Sequence, residues 1–227
     1  MAKSALAEEV RERPSALERK PQDIGPFLTI SREYGCHGFS LGLLLLDLLN
    51  EETTSGAAWQ IYHKNILSRL ATETNMAQDI IEHEMTSKPS LIVDFFRAFS
   101  KERAPSGFEI RNRITTIIRC LAIQGRAIII GQGSAAATLD LPHGLAIRLE
   151  APEEWRVRQV AFREGVTEYE ARHKIHQVEQ ERDFLRKFYE LKYPRRPAFH
   201  VTYDCSAFSL TELAQNVMYM MKLKHLV

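Results

Sequence analysis

The chain has 227 residues, enough to bury a full core as one principal domain with an inserted subregion. Its 30 Lys and Arg against 29 Asp and Glu leave a formal net charge of +1, so no global field would steer it to a long nucleic acid or an anionic membrane. Any polyanion must be met by a local cluster of cations, which suits a small phosphorylated ligand, and three cysteines with no CxxC pair fit a reducing compartment rather than a disulfide or zinc framework.

Residues 1–24 are charged and broken by Pro14 and Pro21; they predict a mobile arm and lack the hydrophobic stretch of a secretory leader. Residues 25–227 form the expected domain. It opens with a β-type run at 27–30, a polar turn over 31–38 and an apolar helix over 39–49. That helix is the most apolar stretch of the chain, but Gly42 and Asp47 interrupt it and it is far too short to cross a bilayer. A cytoplasmic location is the expectation. A short strand at 59–62 follows, then a helical pattern over 65–84 carrying Ile66, Leu70, Met76, Ile80 and Ile81, and an apolar helix over 90–99. A long helix over 109–124 ends at Gly125, and an apolar β-run at 127–130 leads into Gly131-Gln132-Gly133. Another strand is expected at 145–149, then a helix with Glu153 and Glu154 in its first turn, broken at Gly165. A helix from 167 to about 192, a loop over 193–197, a strand at 199–203 and a helix over 209–223 complete the chain. Strands alternating with helices predict a mostly parallel sheet covered on both faces, an α/β architecture of three layers.

The turn after the first strand sits where such sheets take ligands. Gly35 and Gly38 would let its backbone curl toward an anion, and Ser40 would place a hydroxyl in the first turn of the next helix. On these residues alone an ordinary strand-to-helix turn is an equal alternative. Arg182 and Arg186, four residues apart, project from one helix face and suit phosphate oxygens, although Glu179 and Lys187 make a solvated, salt-bridged helix the simpler account. Cys36 next to His37 is read as structural, because adjacent side chains diverge. The histidines show no HxxxH or HExxH spacing, which speaks against a histidine metal site. Trp59 and Trp155 are read as packing residues, and the basic run 192–196 as ordinary surface.

Residues 28–35, Leu-Thr-Ile-Ser-Arg-Glu-Tyr-Gly, resemble the opening of the cytidylate kinase-like family, a strand followed by Ser-Arg-x-Tyr-Gly and a glycine-rich turn. Four later blocks agree in order: Ile61-Tyr62-His63-Lys64, Gly125-Arg126-Ala127-Ile128, Ala151-Pro152-Glu153-Glu154 with Arg163-Glu164-Gly165, and Tyr203-Asp204-Cys205-Ser206. Together they span about residues 27 to 221. The resemblance implies a P-loop kinase fold with a helical insertion over about 63–113 that binds the acceptor, and a lid helix that bears arginines. It also implies a central strand at 27–31 between those at 127–130 and 145–149. The implied chemistry is transfer of the terminal phosphoryl group of ATP, with Mg2+, to a nucleoside monophosphate, a pyrimidine one by family.

By the same resemblance, Ser31, Arg32, Tyr34, Gly35, Cys36, His37, Gly38, Phe39 and Ser40 would cradle the donor phosphates, with Ser40 also at the metal. Gly131, Gln132, Asp183 and either Arg111 or Arg113 would meet the acceptor, and Arg156, Arg182 and Arg186 would offset the transferring charge. Two departures stand against full activity. The Walker pattern asks for a lysine, but its place is Phe39 when anchored on Gly38 and Gly38 itself when anchored on the strand end. The family it resembles commonly lacks this lysine too but keeps an arginine where this chain has Phe39, which leaves Arg32 and His37 as the nearby cations. After the third strand, related cytidylate kinases carry Asp-Gly-Arg-Asp where this chain has Ile130-Gly131-Gln132-Gly133, without acid or arginine. A nucleotide-binding regulatory protein that has lost catalysis is therefore the alternative to the kinase.

Overall fold

The computed structural model describes residues 24–65, 107–190 and 199–227. The mobile arm expected over 1–24, the helices expected over 65–84 and 90–99, and the loop expected over 193–197 lie outside these residues apart from single positions at their ends. In chain order the elements are β1 (Phe27–Arg32), α1 (Gly38–Glu52), β2 (Gln60–Tyr62), α2 (Gly107–Gln124), β3 (Ala127–Ile130) and α3 (Ser134–Ala137). They continue with β4 (Gly144–Glu150), α4 (Glu153–Glu164), α5 (Glu168–Glu190), β5 (Val201–Asp204) and α6 (Leu210–Leu223).

Five strands form one parallel sheet in the order β2-β3-β1-β4-β5. β1 is central, with Phe27 opposite both Ala127 of β3 and Gly144 of β4, as the family resemblance implied. Its first four residues are all buried, and so is every residue of β3, which is why these strands read as unbroken apolar runs rather than alternating ones.

On one face, α1 presents Leu41, Leu45 and Leu49, a stripe at four-residue spacing, to Leu28, Ile30, Ile128 and Ile130. α6 joins the same core through Leu213, Val217 and Met221. Its start is set by a capping box in which Ser209 and Glu212 bond reciprocally to each other's backbone. On the other face, Ile114, Ile117, Ile118 and Leu121 of α2 cover Phe27, Ala127 and Ile129. Each fully buried Leu or Ile contributes on the order of 1.5–3 kcal/mol, so the two layers fix the sheet firmly. A third, smaller cluster lies between α4 and α5: Val157, Val160, Ala171 and Ile175, with Tyr34 of the loop after β1 against it. That contact joins the two outer helices to the loop. The short helix α3 was not legible in the sequence; it is held by Thr138, whose hydroxyl donates to the Ser134 carbonyl at 2.9 Å, and by the Arg119–Asp140 pair.

Candidate functional site

β1 ends at Arg32 and α1 begins at Gly38, so residues 33–37 form a loop at the carboxyl end of the central strand. The chain turns there through left-handed conformations at Gly35 (φ 102°) and at His37 (φ 44°), the N-cap of α1. A Cβ on Gly35 would stand 3.0 Å from Cβ of Arg156 and 3.2 Å from its carbonyl oxygen, so both the dihedral and the space demand glycine. His37 gives α1 no side-chain cap; its Nε2 lies 3.1 Å from Gln159 Oε1 and its ring meets Trp155 edge-on at 5.9 Å. α1 has no acid in its first turn. Its leading N–H groups are thus the donors that a helix start offers to an anion. Ser40 is exposed in that turn, and Phe39, 45% exposed, leans edge-on against His63.

Three carboxylates hold the loop, one of its own and two from α4 and α5. Glu33 accepts from the Ala151 N–H at 3.2 Å and pairs with Arg156 at 3.3 Å, with Arg148 at 3.9 Å. Both arginines are buried, and Arg156 also donates to the carbonyls of Ala151 and Tyr34 at 3.0 and 3.4 Å. Arg148 reaches the Ser31 hydroxyl at 3.3 Å and pairs with Glu150. Glu164 accepts from the Tyr34 hydroxyl at 2.7 Å, and Glu179 accepts from the Tyr34 backbone N–H, also at 2.7 Å. Burial works against the Glu164 carboxylate, but hydrogen bonds from Lys174, Tyr34 and Arg163 outweigh it and bring the group down to about 2. Burial first, and the bond to Glu164 second, push the Tyr34 hydroxyl up.

Arg182 of α5 completes the enclosure. Its guanidinium donates to the Arg32 carbonyl at 3.1 Å, pairs with Glu179 at 3.0 Å and lies 5.5 Å over the Tyr34 ring. Arg32 itself runs along the opposite wall. A Cβ on Gly38 would lie 3.0 Å from its Cγ, and one on Gly131 only 1.9 Å from its Nη1. The end of β3 is therefore part of the same site, and it leaves β3 through three successive left-handed residues, Gly131 (φ 71°), Gln132 (φ 57°) and Gly133 (φ 73°). Burial, and after it the nearby Arg182 charge, lower the Arg32 guanidinium to about 10 against the opposing pull of Glu179. The buried Cys36 carbonyl lies 3.8 Å from Sγ of Cys205. That neighbouring thiol, together with burial, pushes the Cys36 thiol well above its ordinary value, consistent with a structural cysteine.

The structure thus brings together Ser31, Arg32, Tyr34, Gly35, Cys36, His37, Gly38, Arg156, Arg182 and Gly131 around one loop. Arg156 is bonded to Glu33 and to the Tyr34 carbonyl of the loop, and to the Ala151 carbonyl beyond it. Asp183 is exposed on α5, and Arg113 lies half-buried on α2. The side chains of Arg111 and Arg186 lie outside the described residues. Sequence reasoning passed over Glu33, Glu164 and Arg148 and took Glu179 only as a neighbour of Arg182 on its helix. Glu33, Glu164 and Glu179 each bond a group more than 100 residues away, and no local pattern reports those bonds. Among the described residues no group of three or more His, Cys, Asp or Glu stands ready for a metal ion, and no helix is long and apolar enough to cross a membrane.

A parallel five-stranded sheet of this order, with a glycine-bearing loop running from the central strand into the N-terminus of a helix, defines a P-loop kinase fold. A sequence model of the cytidylate kinase-like family matches residues 27–207, and the chain belongs to that family. The crystal structure of an uncharacterised protein from Eubacterium ventriosum ATCC 27560 is similar to it, with a TM-score of 0.62 at 17% identity, covering 87% of this chain and 98% of that one. Weaker likenesses are to a shikimate kinase from Bacteroides thetaiotaomicron (TM-score 0.47, 12% identity, 87% of this chain and 98% of that one). A shikimate kinase from Acinetobacter baumannii in complex with shikimate gives 0.44 and 15%, over 92% of this chain and 100% of that one. No curated protein matches the sequence.

Proposed function

We propose that the chain is an ATP-dependent phosphotransferase whose acceptor is a nucleoside monophosphate, with a pyrimidine base favoured by its family. The observation that carries this reading is the meeting of an uncapped helix start, a loop shaped by Gly35 and the Arg182 guanidinium at the carboxyl end of the central strand. The residues present fit a triphosphate: N–H donors from the first turn of α1 would bind its oxygens, and Arg182, with Arg186 on the same helix, would offset the charge of the transferring group. Arg156 would act at one remove by holding the loop in shape. Ser40 would hold magnesium, which when bound supplies charge neutralisation between the outer phosphates.

The acceptor would lie toward the end of β3, near Gly131 and Gln132, with Asp183 from α5 and Arg111 or Arg113 from α2, and the segment of about 63–113 would serve as its binding insertion. Residues 1–24 would be an arm outside this machinery. Three free, buried cysteines support a reducing cytoplasm as the setting.

A second reading is favoured by one specific observation. Gly131-Gln132-Gly133 supplies neither acid nor cation to the site, and glycine stands at residue 38 in the lysine place. A nucleotide-binding regulatory protein without turnover would need neither. Titration with ATP and each nucleoside monophosphate, followed by a turnover assay with magnesium, separates the two. Saturable ATP binding with phosphoryl transfer supports the kinase, and binding without transfer to any monophosphate supports the regulator. No ATP binding at all rejects both.

A further inference from the structure

Anchored at the end of β1, the Walker pattern puts its first glycine at residue 32 and its lysine at residue 38. This chain has arginine at the first place and glycine at the second. The two positions have exchanged cation for glycine, and the geometry shows why the exchange is physically coherent. The stem of Arg32 runs through the volume a side chain at 38 would enter, its Cγ and Cδ 3.0 and 3.2 Å from the Cβ position of Gly38. Its head stops against Gly131, Nη1 being 1.9 Å from where a Cβ there would stand. The side chain therefore runs from the first turn of α1 to the end of β3.

We propose that Arg32 is the phosphate-binding cation of this site, reaching from the first-glycine place into the space of the missing lysine to meet the outer phosphates of a bound nucleoside triphosphate. The inference rests on the nucleotide-binding reading above. Among the described residues the guanidinium has no hydrogen-bond or ion-pair partner of its own; only its carbonyl is taken, by Arg182. Arginine presents two parallel N–H donors to a phosphate, so the exchange replaces a point charge with a fork rather than losing the charge. Burial and the Arg182 charge disfavour the cation in the ligand-free protein. The negative charge of a bound polyanion offsets both effects, so binding also stabilises the fold.

The experiment measures ATP and AMP affinities, by calorimetry on the full chain, for the wild type, Arg32→Gln, Arg32→Lys and the reciprocal double variant Arg32→Gly/Gly38→Lys, each first checked for cooperative unfolding. Arg32→Gln is expected to weaken ATP by about 10- to 100-fold, the loss of a charged hydrogen-bond partner, while AMP changes far less. Arg32→Lys retains part of the ATP affinity, and the double variant recovers most of it by restoring the cation at residue 38. ATP affinity unchanged in Arg32→Gln overturns the proposal, and so does an equal loss for ATP and AMP, which marks a purely structural arginine; both leave the nucleotide-binding reading standing. If the double variant does not fold, the order wild type, Arg32→Lys, Arg32→Gln in ATP affinity decides, and any other order rejects the proposal. A wild type that binds no ATP removes the nucleotide-binding reading and this inference with it.

Discussion

Two strand-to-helix connections meet at the carboxyl edge of the sheet, and they are built by opposite means. The loop after β1 is held by side chains: Glu33 with two buried arginines beneath it, Glu164 and Glu179 on Tyr34, and Arg182 over the top. The loop after β3 is held chiefly by backbone, through three left-handed residues in succession and a bond from the Gly131 N–H to the Ile30 carbonyl at 3.0 Å, with the Ser134 hydroxyl donating to the Ile129 carbonyl at 3.4 Å. One is rigid because charges from distant parts of the chain converge on it. The other is compact because it has few side chains to place, and its shape leaves room for the head of Arg32. The proposed phosphate site would use both, the held loop as its cradle and the β3 end as its wall.

The largest expected effect bears on the first loop. Arg182→Ala removes a cation from the proposed transfer step and is expected to lower turnover by about 10³-fold, the scale of a lost arginine finger, while ATP affinity falls much less. Steady-state kinetics set against direct binding check this. Turnover that survives would place the chemistry on another element and reduce α5 to a brace for the loop.

Next in size is Glu33→Gln. It leaves Arg148 and Arg156, 7% and 8% exposed, without their shared carboxylate, and is expected to destabilise the fold by about 3 kcal/mol, read from urea midpoints. The matching change in the second loop has the opposite sign. Gln132→Gly relieves a side chain held at φ 57° and is expected to stabilise the protein by about 1 kcal/mol. A loss of stability there would mean that the Gln132 side chain holds its loop after all, and the contrast between the two connections would fail.

The last effect is a pH dependence. Glu164 titrates at about 2 in the folded protein against an ordinary 4.5, so its contribution to stability is fully present above 4.5 and is lost as pH falls through about 2. In Glu164→Gln that contribution is absent. The acid-induced decline of the urea midpoint between pH 5 and 2 should then be shallower than in the wild type. Parallel curves would show that the Tyr34 and Lys174 contacts do not hold the carboxylate in solution.

The fold was legible because its signals are local. Consecutive burial at Ile128, Ile129 and Ile130, the stripe of Leu41, Leu45 and Leu49, and the helix breaks at Gly125 and Gly165 all lie within a few residues of what they determine. The central place of β1 came from the family blocks and not from any one strand, because an apolar run by itself says nothing about its neighbours in a sheet. The loop at 31–38 was legible as a strand-to-helix turn, since it follows the first strand and carries two glycines. Its restraints were not. Glu179 finds Tyr34 across 145 residues and Arg156 closes on Glu33 across more than 100, pairings that tertiary structure creates and spacing does not encode. Arg156 shows the same limit from the other side: its position matched the arginine helix of the family, but only the fold reveals that its guanidinium is engaged with the loop itself.

Residues 32, 38 and 131 are tied to one another by the room that the Arg32 side chain takes. A lysine arriving at 38 while Arg32 is present has its Cβ 3.0 Å from the Arg32 stem and sets a second positive charge beside the first. A glycine arriving at 32 while Gly38 is present leaves the site with neither cation. Each single step between the two arrangements is therefore expected to give a poorer protein than either. Substitutions should be tolerated better when these positions change together than when one changes alone, a coupling that the individual residues, taken one at a time, do not reveal.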